Sequence, residues 1–201
     1  IFWFASNYIF VLKILNNTMD HMSQLNRKKI HNWSKINNVL AITVYPETKE
    51  EIINILKYAK KNGKKISIMG HGCSHGDLFF YNNDNIIINT SKYNHILDFN
   101  KSKMTIKVES GASILKVNNF LFKKKLTFGS IPSNYEITIG GAVSNNVFGK
   151  DSHQSGLFNN NILEIEYVNK DFNIVTISSR DNPKNILEFI GSIGLLGIIL
   201  C

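Results

Sequence analysis

An α+β fold is predicted by three features of this chain. A capped amphipathic helix runs straight into a short strand, two further strands flank a tight turn near the C-terminus, and no linker or internal repeat divides the 201 residues. Hairpins mixed with interleaved helices argue against a regular doubly wound sheet. The composition, 43% apolar and 19% charged with 3 Pro, excludes a disordered tail or a collagen-like repeat.

The elements follow in order. Thr48 is placed to cap a helix and Glu51 to reach back toward it, the reciprocal arrangement of a capping box. Ile52, Ile55, Leu56 and Ala59 then recur at helical spacing until Gly63 ends the segment. Lys65 to Met69 reads as a strand that enters a glycine-rich loop, so backbone amides are presented at the end of a sheet. Strands are expected at Asn85 to Asn89, around Ile86-Ile87-Ile88, and at Thr105 to Glu109, where apolar and charged residues alternate. Ser113 to Lys124 reads as a second amphipathic helix, and Lys123-Lys124-Lys125 as its solvated end. Beyond Pro132 lies a stretch of small residues, Thr138 to Asn146. Asn161 to Val168 and Asn173 to Ser178 make a hairpin around Lys170-Asp171. A last helix, Pro183 to Gly191, opens with proline in its first turn, where the missing N–H costs nothing, and Gly194 to Ile199 reads as a buried strand.

The two ends carry separate signals. Ile1 to Leu15 is apolar and aromatic but shorter than the roughly 20 residues that span a bilayer. A signal-peptide core, a stretch upstream of a start at Met19 and an ordinary packed helix remain open, and residues 1–31 are read as an N-terminal extension, helical in part. The apolar run from Leu195 to Cys201 has no polar closure, so the sequence reads as a fragment.

Lys+Arg 23 against Asp+Glu 15 leaves a net +8. Arg27 and Arg180 are the arginines, and the lysines are scattered without aromatic interleaving, so no nucleic-acid partner is expected. Lysine bias accounts for most of the charge, with a part left to serve an anionic ligand. Cys73 and Cys201 are too few for a disulfide framework and lack zinc-site spacing. His71 and His75 flank Cys73, yet no metal is expected; His21, His31 and His95 read as surface residues. The expected location is cytoplasmic, with membrane association left open.

Two constellations point to chemistry. The first is Gly70-His71-Gly72-Cys73-Ser74-His75-Gly76-Asp77, at the end of a strand. Glycine at alternate positions lets backbone approach a ligand closely with amides free to donate to phosphate oxygens, and Ser74 adds a hydroxyl. It is neither the dinucleotide fingerprint, which needs glycine at position 75, nor a Walker loop. A tight structural turn is the alternative. The second runs from Thr138 through Ile139, Gly140, Gly141 and Ala142 to Ser144, and on to Phe148-Gly149-Lys150-Asp151-Ser152-His153. It offers a second close-approach surface, two hydroxyls and a cation, and the two surfaces together could hold a pyrophosphate.

The order of these motifs resembles the FAD-binding domain of the vanillyl-alcohol oxidase and p-cresol methylhydroxylase superfamily, closest to sugar oxidases of the decaprenylphosphoryl-ribose oxidase and aldonolactone oxidase kinds. Gly70, Gly72, Ser74, Gly76 and Asp77 match its G-x-G-x-S-x-G-D loop, Thr138, Gly140, Gly141 and Ala142 its T-x-G-G-A stretch, and Gly194 to Ile199 its G-L-x-G-I-I end. Trp33, Val39-Leu40 and Pro46 match its lead-in, and the likeness covers residues 32–201.

The resemblance implies a two-lobed PCMH-type FAD-binding domain with mixed sheets and flanking helices, cut before a C-terminal substrate (cap) domain. In that picture the first loop and Thr138 to Ala142 clasp the pyrophosphate and ribityl chain. Phe148, Gly149, Lys150 and His153 lie near the flavin ring, and Gly197 and Ile198 meet the adenine. The implied activity is a flavin-dependent oxidation of a sugar, sugar lactone or polyol at a CH–OH carbon, with reoxidation by oxygen or another acceptor. A flavin- or nucleotide-binding module without turnover is the alternative. The family's base usually lies in the cap domain, so no catalytic residue is assigned, beyond Lys150 as a substrate-facing cation. Cys73 stands where some members carry a histidine joined to the flavin, which excludes histidyl attachment there; a cysteinyl link is chemically possible, and a free, buried Cys73 with noncovalent FAD is the expectation. Phe148 replaces the family's histidine, removing one polar contact, and Ser133 stands where glycine is common.

Overall fold

The computed structural model describes residues 27–80 and 85–201. The expected N-terminal helix, Met19 and His21 lie outside the described residues. The first sheet contains β1 (Lys28–His31), β2 (Asn38–Val44), β3 (Lys65–Met69) and β4 (Asn85–Asn89), with helix α1 (Lys49–Lys61) between β2 and β3 in the chain. Its order is β1-β2-β4-β3; β1 pairs antiparallel with β2, and β2 and β3 pair parallel with β4. β4 is central and wholly buried, which is why it reads as a continuous Ile run and not as an alternating strand.

α1 forms as its sequence predicts, with one shift. Thr48 Oγ1 accepts from Glu51 N at 3.2 Å, while Glu51 Oε2 accepts from Glu47 N at 2.8 Å, one residue before the cap. Gly63, at φ +61°, ends the helix, and Lys64 N donates back to Ala59 O at 2.8 Å.

β5 (Ile96–Asn100) and β6 (Thr105–Val108) form an antiparallel hairpin that leads into α2 (Ile114–Phe122), capped by Ser113. Lys123, Lys124 and Lys125 are exposed at its end, and the Lys124 ammonium sits over the Phe99 and Phe120 rings. The third sheet, β8-β7-β9, contains β7 (Glu164–Val168), β8 (Ile174–Ser178) and β9 (Ile198–Ile199), all antiparallel. The β7–β8 turn is tied by Asn169 Oδ1, which accepts from Asp171 N and Asn173 N, both at 3.0 Å. α5 (Pro183–Phe189) follows this hairpin with Asn182 as its cap and proline in its first turn.

Three features depart from the sequence reading. The strands β1, β2 and β5 were not assigned; β1 carries three basic or imidazole side chains and β5 is broken by Asp98, so neither displays a clean apolar period. The stretch of small residues folds into α3 (Ile139–Ser144), with a one-turn helix α4 (Ser152–Ser155) beyond it. Thr138 caps α3 and offsets the poor helix propensity of Gly140 and Gly141. Third, the expected strand over Gly194 to Ile199 is confined to β9. Gly194 and Gly197 have φ +76° and +158°, and Leu195 is 86% exposed, so the preceding residues form an outward loop.

Two cores result. One packs Ile52, Ile86, Ile88 and Tyr93 against Val168, Ile198 and Leu200; the other packs Ile114, Ala142, Phe158, Ile186 and Phe189 against Ile199. Successive side chains of a strand face opposite sides, so β9 sends Ile198 into one core and Ile199 into the other. The strand is the seam between two lobes, and the principal cleft opens beside it.

Candidate functional site

A cleft of about 300 Å³ is lined by the loop after β3, the start of α3, and the segment leading into β9. The Gly70–Asp77 loop is held from outside by the β1–β2 connection. Trp33 N donates to Ser74 O at 3.0 Å, and buried Asn32 donates through Nδ2 to His75 O at 2.6 Å. In a planar trans peptide the N–H points opposite the carbonyl, so fixing these two carbonyls aims the amides of His75 and Gly76 the other way. Among the described residues nothing accepts from the N–H groups of His71, Gly72, Cys73, Ser74, His75 or Gly76.

The opposite wall is different. Gly140 N donates to Ser110 O and Ile139 N to Ala112 O, each at 2.8 Å, and Gly141 N donates to Thr138 Oγ1 at 3.2 Å. The amides of this glycine pair are therefore already used, and the glycines serve close packing. A Cβ on Gly140 would lie 2.9 Å from Ser110 Cβ. A Cβ on Gly70 would lie 2.9 Å from Thr138 Cγ2 and closer still to its Oγ1. These two glycines let the walls meet at the base of the cleft, while the open amides lie in the first loop.

The loop is braced from a third side. His71 Nδ1 donates to Glu136 O at 2.8 Å, with the Glu136 carboxylate at 3.6 Å. Burial pushes the Cys73 thiol above its ordinary pKa, opposed by a hydrogen bond with Asn134 and reinforced by Glu136. Cys73 and Cys201 are both free thiols. Among the described residues no Lys, Arg, Asp or Glu lines the cleft. An anion there would meet amide and hydroxyl dipoles and the imidazoles of His71 and His75, so the net positive charge is not concentrated at this site.

Of the residues singled out from sequence, the cleft brings together Gly70, His71, Gly72, Cys73, Ser74 and His75 on one wall and Thr138, Gly140, Gly141, Gly197 and Ile198 on the others. Gly76 and Asp77 continue the loop beyond the lining; Asp77 O accepts from Phe80 N at 2.7 Å. Ala142 is fully buried in the second core, and Ile139 packs beside it. Phe148, Gly149, Lys150 and His153 do not line the cleft. Phe148 is 71% exposed, Gly149 packs against Ile131 O, and His153 Nδ1 lies 3.3 Å from Lys150 O. That segment is anchored by Asp151, whose carboxylate accepts from Ser130 N and Ser155 Oγ, both at 2.8 Å. These two bonds hold its carboxyl below the usual carboxylate range.

Sequence reasoning missed Thr90 and Ser110, both buried and both lining the cleft. The signal available for Ser110 was a small residue before Gly111 at the end of a strand, the same pattern as the first loop. Among the described residues no group of three His, Cys, Asp or Glu could hold a metal, and no helix is long and apolar enough to cross a membrane.

Comparison with known proteins bears on the same segments. D-arabinono-1,4-lactone oxidase of Candida albicans is 27% identical over 168 residues, covering 77% of this chain and 30% of that protein. The mitochondrial D-lactate dehydrogenase [cytochrome] 1 of Saccharomyces cerevisiae is 29% identical over 166 residues, covering 79% of this chain and 28% of that protein. The chain thus spans about 30% of the length of such relatives. The fold matches a solved structure of alkyldihydroxyacetonephosphate synthase with a TM-score of 0.70 at 22% identity, over 80% of this chain and 31% of that one. Residues 40–178, more than half of the chain and both walls joined at Gly70 and Thr138, match the FAD binding domain family, and the chain belongs to that family of PCMH-type FAD-binding domains.

Proposed function

We propose that this chain holds FAD noncovalently in the cleft beside β9, as the cofactor-binding part of an oxidoreductase acting on the CH–OH group of a sugar, sugar lactone or polyol. The observation that carries the reading is the run of amides from His71 to His75 with no acceptor among the described residues, in a loop that lines the same cleft as Thr138 and Gly140. Backbone donors left open along a half-exposed loop are free to bind an anion, and a diphosphate supplies acceptors for them. FAD, when bound, supplies an acceptor for hydride at its N5 and passes the electrons to oxygen or another acceptor.

The chain's own residues orient and shield. The first loop supplies amides and the Ser74 hydroxyl to the diphosphate, Thr138 and Gly140 close its other side, and Ile198 and Gly197 offer apolar surface and backbone to the adenine. Lys150 and His153, on the exposed segment after α3, are assigned to the side facing the flavin ring and the substrate. Cys73 stays a free thiol against the cofactor. The sugar-lactone assignment draws on the likeness to D-arabinono-1,4-lactone oxidase, and the likeness to a D-lactate dehydrogenase extends the donor class to 2-hydroxy acids. A second reading, a flavin-binding module without turnover, draws on Phe148 in place of the family's histidine.

The test is the visible spectrum of the full-length protein. Flavin absorption that bleaches with an aldonolactone or alditol under nitrogen supports the oxidoreductase, and flavin that no donor bleaches favours the second reading. A colourless protein that takes up no FAD would overturn both. After acid precipitation the flavin is expected in the supernatant; flavin in the pellet would overturn noncovalent binding.

A further inference from the structure

The buried side-chain oxygens without a hydrogen-bond partner among the described residues belong to Thr43, Asn85, Ser110 and Ser192. Of these, Ser110 is the one in the lining of the cleft. It is 2% exposed, and its main chain is fully engaged: Ser110 N donates to Leu200 O and its carbonyl accepts from Gly140 N, both at 2.8 Å. The residue is thus pinned between Leu200, just after β9, and the start of α3, with one group left over, the hydroxyl. An unmatched buried hydroxyl is destabilising, so its retention calls for a partner. Gly140 is what lets α3 approach this residue, because any Cβ there would press on Ser110 Cβ at 2.9 Å.

The chemistry of the partner follows from both walls. The loop from His71 to His75, whose amides have no acceptor among the described residues, lines one side of the cleft, Ser110 lines another, and among the described residues no carboxylate or ammonium lines it. Donors on two sides fit a group that only accepts. We infer that Ser110 is a further cofactor-binding residue, its Oγ–H donating to an oxygen of the FAD diphosphate; this rests on the FAD reading above.

The change Ser110→Ala in the full-length protein separates this role from a structural one, because the two predict opposite effects on the empty protein. Removing an unpartnered hydroxyl should leave the thermal midpoint of the FAD-free protein unchanged or raised, while the FAD dissociation constant rises about tenfold, or about 1.4 kcal/mol. The inhibition constant of ADP, which carries the diphosphate without the flavin, should rise by the same factor in competition with FAD. A lowered midpoint in the FAD-free variant would mark Ser110 as structural and overturn the inference. So would an FAD affinity equal to the parent's. ADP that fails to compete, or competes equally with both proteins, would overturn the diphosphate assignment. A parent that binds no FAD would overturn the cofactor reading itself, a result distinct from parent and variant binding FAD alike.

Discussion

Gly70 is the position at which a single methyl group tests how the two walls of the cleft are joined. In Gly70→Ala the new Cβ would lie 2.9 Å from Thr138 Cγ2 and 3.2 Å from Thr138 Cβ, with Oγ1 nearer still. Thr138 cannot swing aside easily: it is 3% exposed, its χ1 is stiff, and its Oγ1 holds the first turn of α3 through Gly141 N. Overpacking of this kind costs about 1–3 kcal/mol, and loss of the threonine cap about 1 kcal/mol more. The expected destabilisation is about 2–4 kcal/mol, which at a urea slope of about 2 kcal/mol/M lowers the unfolding midpoint by about 1–2 M. Urea titration by circular dichroism reads it directly. Thr138→Ala alone should cost only the cap, about 1 kcal/mol, and the double variant should cost little more than Thr138→Ala, because the clash has lost its partner. A Gly70→Ala midpoint within about 0.2 M of the parent, or strict additivity in the double variant, would refute the packing argument.

Two further outcomes are expected. The Asp151 carboxyl is held below its ordinary range by Ser130 N and Ser155 Oγ, so its stabilisation is fully present above the unfolded carboxylate pKa of about 3.9 and is lost as pH falls through the lower folded value. Asp151→Asn should therefore lower the urea midpoint at pH 7, with the gap to the parent closing in strongly acidic buffer; a gap independent of pH would contradict this. Burial raises the Cys73 thiol, so its alkylation, followed by peptide mapping to separate it from Cys201, should be slow at neutral pH, accelerate in alkaline buffer, and be suppressed by saturating FAD. Rapid labelling at pH 7, or labelling indifferent to FAD, would place the thiol away from the cofactor.

Local patterns were legible where a residue's neighbours in sequence are its neighbours in space. The cap at Thr48, the stop at Gly63, β3 and the buried Ile run of β4 all sit where their side-chain chemistry predicts. The glycine loop was legible for the same reason, since alternating glycines report backbone approach without knowledge of the fold. The edge strand β1 and the broken strand β5 were not, because their pairing partners rather than their own periodicity make them strands.

The sequence by itself therefore determined the α+β class, the motif order that carries the family, and the two glycine-rich segments that line the cleft. The tertiary structure decided how those residues divide the work. Both glycine-rich segments look alike in one dimension, yet the amides of Gly140 and Gly141 are spent on Ser110 and Thr138, while those of the first loop have no acceptor among the described residues. It also brought Ser110 to the floor of the cleft and left Lys150 outside its lining, for the cleft forms where β9 divides its side chains between two cores, a meeting of segments far apart in the chain.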